Sequence, residues 1–327
     1  MRHAVTAILF LLLAACTPVT HPLGPPVMPP AYDGDHLTMA DGARLPLRTW
    51  QPPAPERAVL VALHGMNDYS NFFDSQGRYL AWRGIACYAY DQRGFGQGPH
   101  PGEWSSTEAM AADAAATVEL VAARHPGVPL FVLGESMGGA VLMAMEARGL
   151  TPKAVRGLIL SAPAVWGRDA MPWYQNLALW LSYHIAPDWR PSGQGLNIRP
   201  SDNIDMLIKL GQDPLVIKET RVDAVKGLVD LMDEAYLSAS ALSRPALLLY
   251  GEKDEVIPMP PTRAVVAGLP DLGHAQRVAL YPDGWHMLTR DLQAQTVLDD
   301  IAAWIKDQSA PLPSGADANA VKMIPGG

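Results

Sequence analysis

Apolar positions along this chain follow two alternating patterns. Short, mostly apolar runs recur at residues 58–63 (AVLVAL), 85–90, 130–133 (LFVL), 157–161 (GLILS), 246–250 (ALLLY) and 277–281. A run with no polar alternation predicts a strand buried on both faces. Between the runs lie segments with helical spacing: 71–82, 107–124, 137–148, 262–269 and 288–306. Ser105 or Ser106 stands where the second of these would be capped. Strand–helix alternation with all-apolar strands predicts an α/β fold, a mostly parallel sheet covered on both faces. Near the start, 37–39 and 44–50 flank Asp41-Gly42, a hairpin turn pair, so an antiparallel edge is expected there. One stretch breaks the rhythm. Residues 164–243 hold no buried-strand run, but place Trp173, Leu177, Trp180 and Leu181, then Val222, Val225, Leu228 and Val229, at helical spacing. They read as a helical insertion between two sheet strands.

The ends read differently. Arg2 and His3 precede an apolar run, Ala4 to Cys16, too short for a spanning helix of about 20 residues. Residues 1–15 read as a secretory signal peptide. Leu13-Ala14-Ala15-Cys16 resembles the lipobox of bacterial lipoproteins, which implies a lipid on Cys16. Thr17 rather than Asp follows, which by the same resemblance implies an outer-membrane destination in a cell with two membranes. Residues 16–31 carry six prolines (Pro18, Pro22, Pro25, Pro26, Pro29 and Pro30) and read as a tether holding the domain off a bilayer. Residues 309–327, rich in Pro, Gly and Ala, read as a flexible tail. The folded unit is expected at 32–163 and 244–308, with 164–243 as the helical insertion.

Composition narrows the function classes. The 327 residues are 49% hydrophobic and 18% charged, as in folded globular chains. A formal charge of −8 leaves no basic surplus to neutralise phosphates, so a nucleic-acid partner is not expected. The two cysteines, Cys16 and Cys87, and the absence of any C-x-x-C argue against a structural metal. Residues 91–98 (DQRGFGQG) are glycine-rich, but the spacing is G-x-G-x-G, and Pro99 and Pro101 block a following helix. No dinucleotide or other cofactor is therefore expected.

The chemistry gathers at strand ends. Gly134-Glu135-Ser136-Met137-Gly138 is a G-x-S-x-G pentapeptide between the LFVL run and a helical run. Glycines beside a serine on so sharp a turn let backbones crowd and leave the hydroxyl exposed. The turn puts Ser136 at a helix N-terminus, where amides favour a developing oxyanion. A serine nucleophile needs a base. Of nine histidines, His64 and His286 sit in strand-end loops. His286 follows the last strand, in YPDGWH, and is the expected base; His64, beside Gly65, reads as structural. The base needs an orienting carboxylate. Gly251-Glu252-Lys253-Asp254-Glu255 offers three, and spacing alone does not choose among them. The order Ser, acid, His is the α/β-hydrolase order. Gly65 permits a tight turn whose next amide, on Met66, would join that of Met137 in an oxyanion hole.

HGMNDYS, DQRGFG, GESMGG, GEKDEVIP and YPDGWH, in that order, resemble the monoglyceride lipase and lysophospholipase branch of the serine α/β-hydrolases. The resemblance spans about residues 35–308. It implies an eight-stranded sheet with a helical cap between strands six and seven. It also implies Ser136 as nucleophile, Asp254 as the acid and His286 as base, with the Met66 and Met137 amides as oxyanion hole. One departure is Gly98, where the DQRGFG loop commonly has Ser. The cap aromatics Trp166, Trp173, Tyr174 and Trp180 are expected either to line an acyl site or to pack the cap on the body. The expected activity is hydrolysis of carboxylic esters of lipid-like substrates, monoacylglycerol or lysophospholipid, through an acyl-enzyme. The alternatives are a small-ester carboxylesterase, a thioesterase or an acyltransferase on the same triad. A tethered, non-enzymatic binding protein is more remote.

Overall fold

The computed structural model describes residues 17–193, 195 and 197–323. The signal segment and Cys16 lie outside the described residues.

Among the described residues nine strands form one sheet in the order β1-β2-β3-β5-β4-β6-β7-β8-β9. They are β1 (Ala31–Asp33), β2 (His36–Thr38), β3 (Arg44–Trp50), β4 (Ala58–Leu63), β5 (Ile85–Tyr90), β6 (Leu130–Glu135), β7 (Val155–Ser161), β8 (Ala246–Gly251) and β9 (Gln276–Tyr281). From β5 to β9 every neighbouring pair is parallel, and β1, β2 and β3 form the antiparallel edge. The all-apolar runs are the central strands, and their two-residue period shows why. In β4, Val59, Val61 and Leu63 enter one core while Ala58, Leu60 and Ala62 enter the other. The first core lies under α2 (Thr107–Arg124), α3 (Met137–Ala147), α6 (Val222–Leu237) and α7 (Met259–Ala267). The second lies under α1 (Asp74–Ala81) and α8 (Ala294–Lys306), where Trp304 stands edge-on to Phe131. Ser106 caps α2, its side chain accepting from the Ala109 amide.

The fold is the α/β-hydrolase fold expected, with three departures. The sheet has nine strands rather than eight. The extra strand, β1, turns back through Asp33-Gly34, with Gly34 at φ 70°, into the β2–β3 hairpin. That turn pair repeats the Asp41-Gly42 signal eight residues earlier. Second, the proline-rich segment does not stand off the body over its described part. The Val19 amide donates to Asp223, His21 to the Trp104 carbonyl, and Val27 and Met28 to Ala40. His21 also pairs with Glu103 and stacks on His100. Prolines bring no N–H of their own, so the amides between them suffice to lay the strip along the surface. Third, the tail packs. Leu312, Ala316, Ala320 and Met323 are buried, Ser314 bonds Asp300, and Arg277 pairs with Asp317 of α9 (Ala316–Asn319).

Residues 164–243 carry α4 (Trp173–Ile185), α5 (Ile204–Gln212) and α6, between β7 and β8. Of these, α6 packs on α3 and buries Val229, Leu231, Met232 and Ala235. Neither α4 nor α5 buries a residue fully.

Candidate active site

The site is assembled from loops at the C-terminal ends of β4, β6, β8 and β9, where ligands gather in open α/β sheets. At the end of β6 the chain turns sharply into α3, with Ser136 at φ 52° and ψ −114°. Such a conformation is strained for a residue with a side chain. It is held because the turn cannot relax. A Cβ on Gly134 would lie 2.4 Å from the Gly138 backbone, and one on Gly138 would lie 2.4 Å from the Leu63 carbonyl. The Ser136 amide donates to Ser161 at 2.9 Å, and its carbonyl accepts from Ala164 at 2.9 Å. Ser136 is half-buried amid buried neighbours, and no hydrogen bond engages its hydroxyl among the described residues.

The turn after β4 lies directly against the elbow. A Cβ on Gly65 would meet the Ser136 Cβ at 3.3 Å. The amide of Met66 follows that glycine, and the amide of Met137 opens α3. Among the described residues neither amide has a hydrogen-bond acceptor. Two unengaged donors flanking a serine are what a developing oxyanion needs. His64 holds the turn from beneath. It is fully buried, donates from Nδ1 to Gly65 at 2.8 Å, and accepts the Gln92 amide on Nε2 at 3.0 Å. Burial keeps its pKa below the ordinary imidazole value. The ring is thus neutral and saturated, in keeping with a structural part.

The loops after β8 and β9 are brought together by glycine. A Cβ on Gly251 would lie 2.4 Å from the Gly284 carbonyl, and the Lys253 amide donates to that carbonyl at 2.9 Å. This contact sets Asp254 against His286, Oδ2 to Nδ1 at 2.8 Å, both buried at the side chain. The second carboxylate oxygen accepts the amides of Val256 at 2.7 Å and Ile257 at 2.9 Å. The rival acids point elsewhere: Glu252 pairs with Lys322, and Glu255 accepts the Arg199 amide at 2.6 Å. Burial opposes the imidazolium form of His286, but the Asp254 and Glu135 carboxylates outweigh it, so its pKa is raised.

Beneath these loops runs an ionic cluster that the sequence reading did not single out. Glu135, Asp68 and Arg290 are buried, with Arg290 hydrogen-bonded to Glu135 and, at 2.7 Å, to Asp68. Thr289 donates to the other Glu135 oxygen at 3.2 Å. The available signal was a charge in each motif stretch, Asp68 in HGMNDYS, Glu135 in GESMGG and Arg290 just past YPDGWH. Only the fold brings them together.

The cap aromatics of α4 are largely exposed. Trp173, Tyr174 and Trp180 are accessible to 74%, 57% and 57%. Trp166 is half-buried and packs on the core. A cleft of about 290 Å³ beside the Met66 turn is bounded instead by Leu207 and Leu210 of α5, Val216, Ile217 and Met287. Met287 donates to the Pro200 carbonyl at 3.0 Å, which ties the base loop to the start of this half of the cap. Residues 91–98 do structural work. Asp91 accepts the amides of Ser70 and Gln97, and Arg93 bridges Asp41 and Asp113.

The family model described as "Serine aminopeptidase, S33" (Hydrolase_4) matches residues 54–293. The chain is 26% identical to a monoacylglycerol lipase of Mycolicibacterium smegmatis, over 81% of this chain and 93% of that protein. It is 25% identical to the human monoglyceride lipase, over 86% and 93%. Among solved structures, Paleococcus ferrophilus monoacylglycerol lipase aligns at a TM-score of 0.67 with 22% identity, over 80% of this chain and 98% of that one. A soluble variant of the Saccharomyces cerevisiae monoglyceride lipase, bound to a substrate analog, aligns at 0.70 with 19% identity, over 88% and 97%. The chain belongs to the Hydrolase_4 family and carries its serine hydrolase features on an α/β-hydrolase fold.

Proposed function

We propose that this monoacylglycerol lipase-like serine hydrolase cleaves single-chain lipid esters, with Ser136 as nucleophile, His286 as base and Asp254 as its orienting acid. The observation that carries the reading is the Asp254–His286 bond, buried at both side chains, together with a strained, unengaged serine flanked by two unengaged amides. In this mechanism Ser136 Oγ attacks the ester carbonyl and His286 Nε2 takes its proton. Asp254 keeps the other ring proton on Nδ1 and stabilises the imidazolium. The carbonyl oxygen, now negative, is received by the Met66 and Met137 amides. Collapse expels the alcohol, which takes the proton back from His286. Water then repeats the cycle on the acyl-serine and releases the fatty acid.

Two features support a lipid substrate. The relatives that span most of the chain are named for monoacylglycerol hydrolysis. The outer face of α4 also exposes Trp173, Tyr174, Leu177, Trp180, Leu181 and Ile185 together, as surfaces that meet lipid do. Hydrolysis of acetyl, octanoyl and palmitoyl glycerol esters by residues 17–327 tests the reading, with Ser136→Ala as background. The ratio kcat/KM should rise by at least about 10-fold from acetyl to octanoyl, the gain expected if only about two of the added methylenes are buried at about 0.8 kcal/mol each. Activity confined to the acetyl ester would make the protein a small-ester carboxylesterase.

We further propose that Cys16 carries a lipid and holds the enzyme at a membrane of the cell envelope. The support is the Leu13-Ala14-Ala15-Cys16 sequence after a short apolar run. In a bacterial host the full chain should incorporate labelled palmitate and sediment with membranes. Cys16→Ser should do neither, and equal labelling of both would remove the anchor.

A further inference from the structure

We propose that Arg290 is a positioning residue that locks the oxyanion turn, the nucleophile elbow and the base loop into one unit, and that it and Glu135 jointly set the electrostatic surroundings of His286. The inference rests on the triad reading above.

The geometry is a buried fork. Arg290 Nη1 donates to Asp68 at 2.7 Å, and Nη2 donates to Glu135. Asp68 is two residues past Met66, Glu135 is the residue before Ser136, and Arg290 is four past His286. One guanidinium, carried by the loop after β9, thus touches residues at the ends of two other strands, β4 and β6. Its rigid planar fork fixes their relative placement in a way that a single-point ammonium does not. The set extends further, through Thr289 to Glu135 and Gln76 to Thr289, both at 3.2 Å. Arg290 also lies over the Phe72 ring at 5.6 Å. Burying three charges is a poor route to stability, because desolvation cancels much of the attraction. Fixing a single register among loops is a better-attested use of such a cluster.

The charges also matter to the base. The groups acting on His286 are Asp254 from the loop after β8, Glu135 from the elbow and Arg290 from its own loop. Asp291, also on its loop, is occupied by the Trp285 amide and Ser201, and burial pushes its carboxyl up to about 6. Asp68, from the turn after β4, is bound by Arg290. One cation between two carboxylates leaves a net single negative charge beside the imidazole. That favours the imidazolium that forms as Ser136 attacks. Glu135 acts to raise the His286 pKa and Arg290 to lower it, so removing either should move the base in opposite directions.

The experiment is the pH dependence of kcat and KM on an octanoyl glycerol ester, for Glu135→Gln, Arg290→Lys and Arg290→Met beside the parent. Glu135→Gln is nearly isosteric and should lower the acid limb of kcat/KM by about one pH unit. Arg290→Met should raise it by a similar amount. Arg290→Lys keeps the charge and loses the fork, so kcat should fall about 10-fold with the limb and KM little changed. Arg148→Gln, which breaks an exposed pair with Glu234, should match the parent throughout. If Arg290→Met does not fold, the other two variants decide. An unmoved limb in Glu135→Gln, or a parental kcat in Arg290→Lys, overturns the proposal. Ser136→Ala run in parallel separates the two layers. Its inactivity beside unmoved limbs sinks this inference alone, whereas activity in it sinks the triad reading.

Discussion

Ser136→Ala should lose at least about 1,000-fold in kcat, approaching the 10⁶-fold losses that follow removal of a serine nucleophile. The loss is chemical rather than structural. The Ser136 hydroxyl has no hydrogen-bond partner among the described residues, so its deletion orphans no donor or acceptor. The backbone bonds of residue 136, to Ser161 and Ala164, do not involve the side chain. Alanine at φ 52° meets the same steric conflict as serine, and the flanking glycines still enforce the turn. The thermal midpoint should therefore stay within a few degrees of the parent, equivalent to about 1 kcal/mol or less. Residual turnover above the uncatalysed rate would come from the amides of Met66 and Met137, which remain in place. Turnover, labelling by a fluorophosphonate probe and a melting curve make the test together. A folded, unlabelled and inactive variant is the expected result. Parental turnover from a folded variant would remove Ser136 from the reaction.

The parts of this molecule that the sequence made legible are those governed by local pattern. Strands buried on both faces announce themselves as unbroken apolar runs, as β4 and β8 do. The elbow was legible because its chemistry demands small residues at fixed offsets around Ser136. Choosing among Glu252, Asp254 and Glu255 required the resemblance, since all three lie within one turn of chain. In the structure Asp254 is the acid that meets His286, set there by the approach of Gly251 to Gly284, a contact between distant segments. Three features stayed hidden for one reason: their pattern is polar or irregular and their partners are remote. The proline-rich strip finds Trp104, Asp223 and Ala40, and the C-terminal segment finds Arg277 and Asp300. Arg290 meets residues 155 and 222 positions away. Composition suggested a stand-off tether for the first and a flexible tail for the second, because proline and glycine weaken regular elements. It carried no information about side-chain and amide acceptors waiting on the body. The cap is a different case. Helical spacing correctly placed Trp173 and Trp180 on a helix, but amphipathic spacing does not say which face turns inward. On α4 the aromatic face turns to solvent, and the cleft beside Met66 is left to α5 and residues 216–217.

Asp254→Asn should cost about 10⁴-fold in kcat, while Glu255→Gln should leave it within about twofold of the parent. The difference follows from where the protons must go. Asp254 Oδ1 accepts two backbone amides, and an asparagine carbonyl oxygen can keep both of those bonds. Its amide nitrogen then replaces Oδ2 and presents N–H to the His286 Nδ1. The imidazole adapts by carrying its proton on Nε2, the nitrogen that should receive the proton of Ser136. The loop is intact and the ring is in place, but in the tautomer that cannot act as a base. The variant also loses the carboxylate that holds the His286 pKa above the ordinary imidazole value. In the parent, activity requires neutral His286, so it should fall as pH drops through that raised pKa. Without the Asp254 charge the remaining activity should persist to lower pH. A lower ceiling with an acid limb displaced downward is a signature that unfolding does not produce, since unfolding lowers the ceiling and leaves the limb of the surviving fraction in place. Among the described residues Glu255 meets only the Arg199 amide, at the surface, and its amide counterpart can accept the same bond. Rate profiles from pH 5 to 9 for both variants, with folding checked by circular dichroism, make the comparison. A larger loss in Glu255→Gln than in Asp254→Asn would move the orienting acid to Glu255, and equal small losses would leave His286 working without a carboxylate partner.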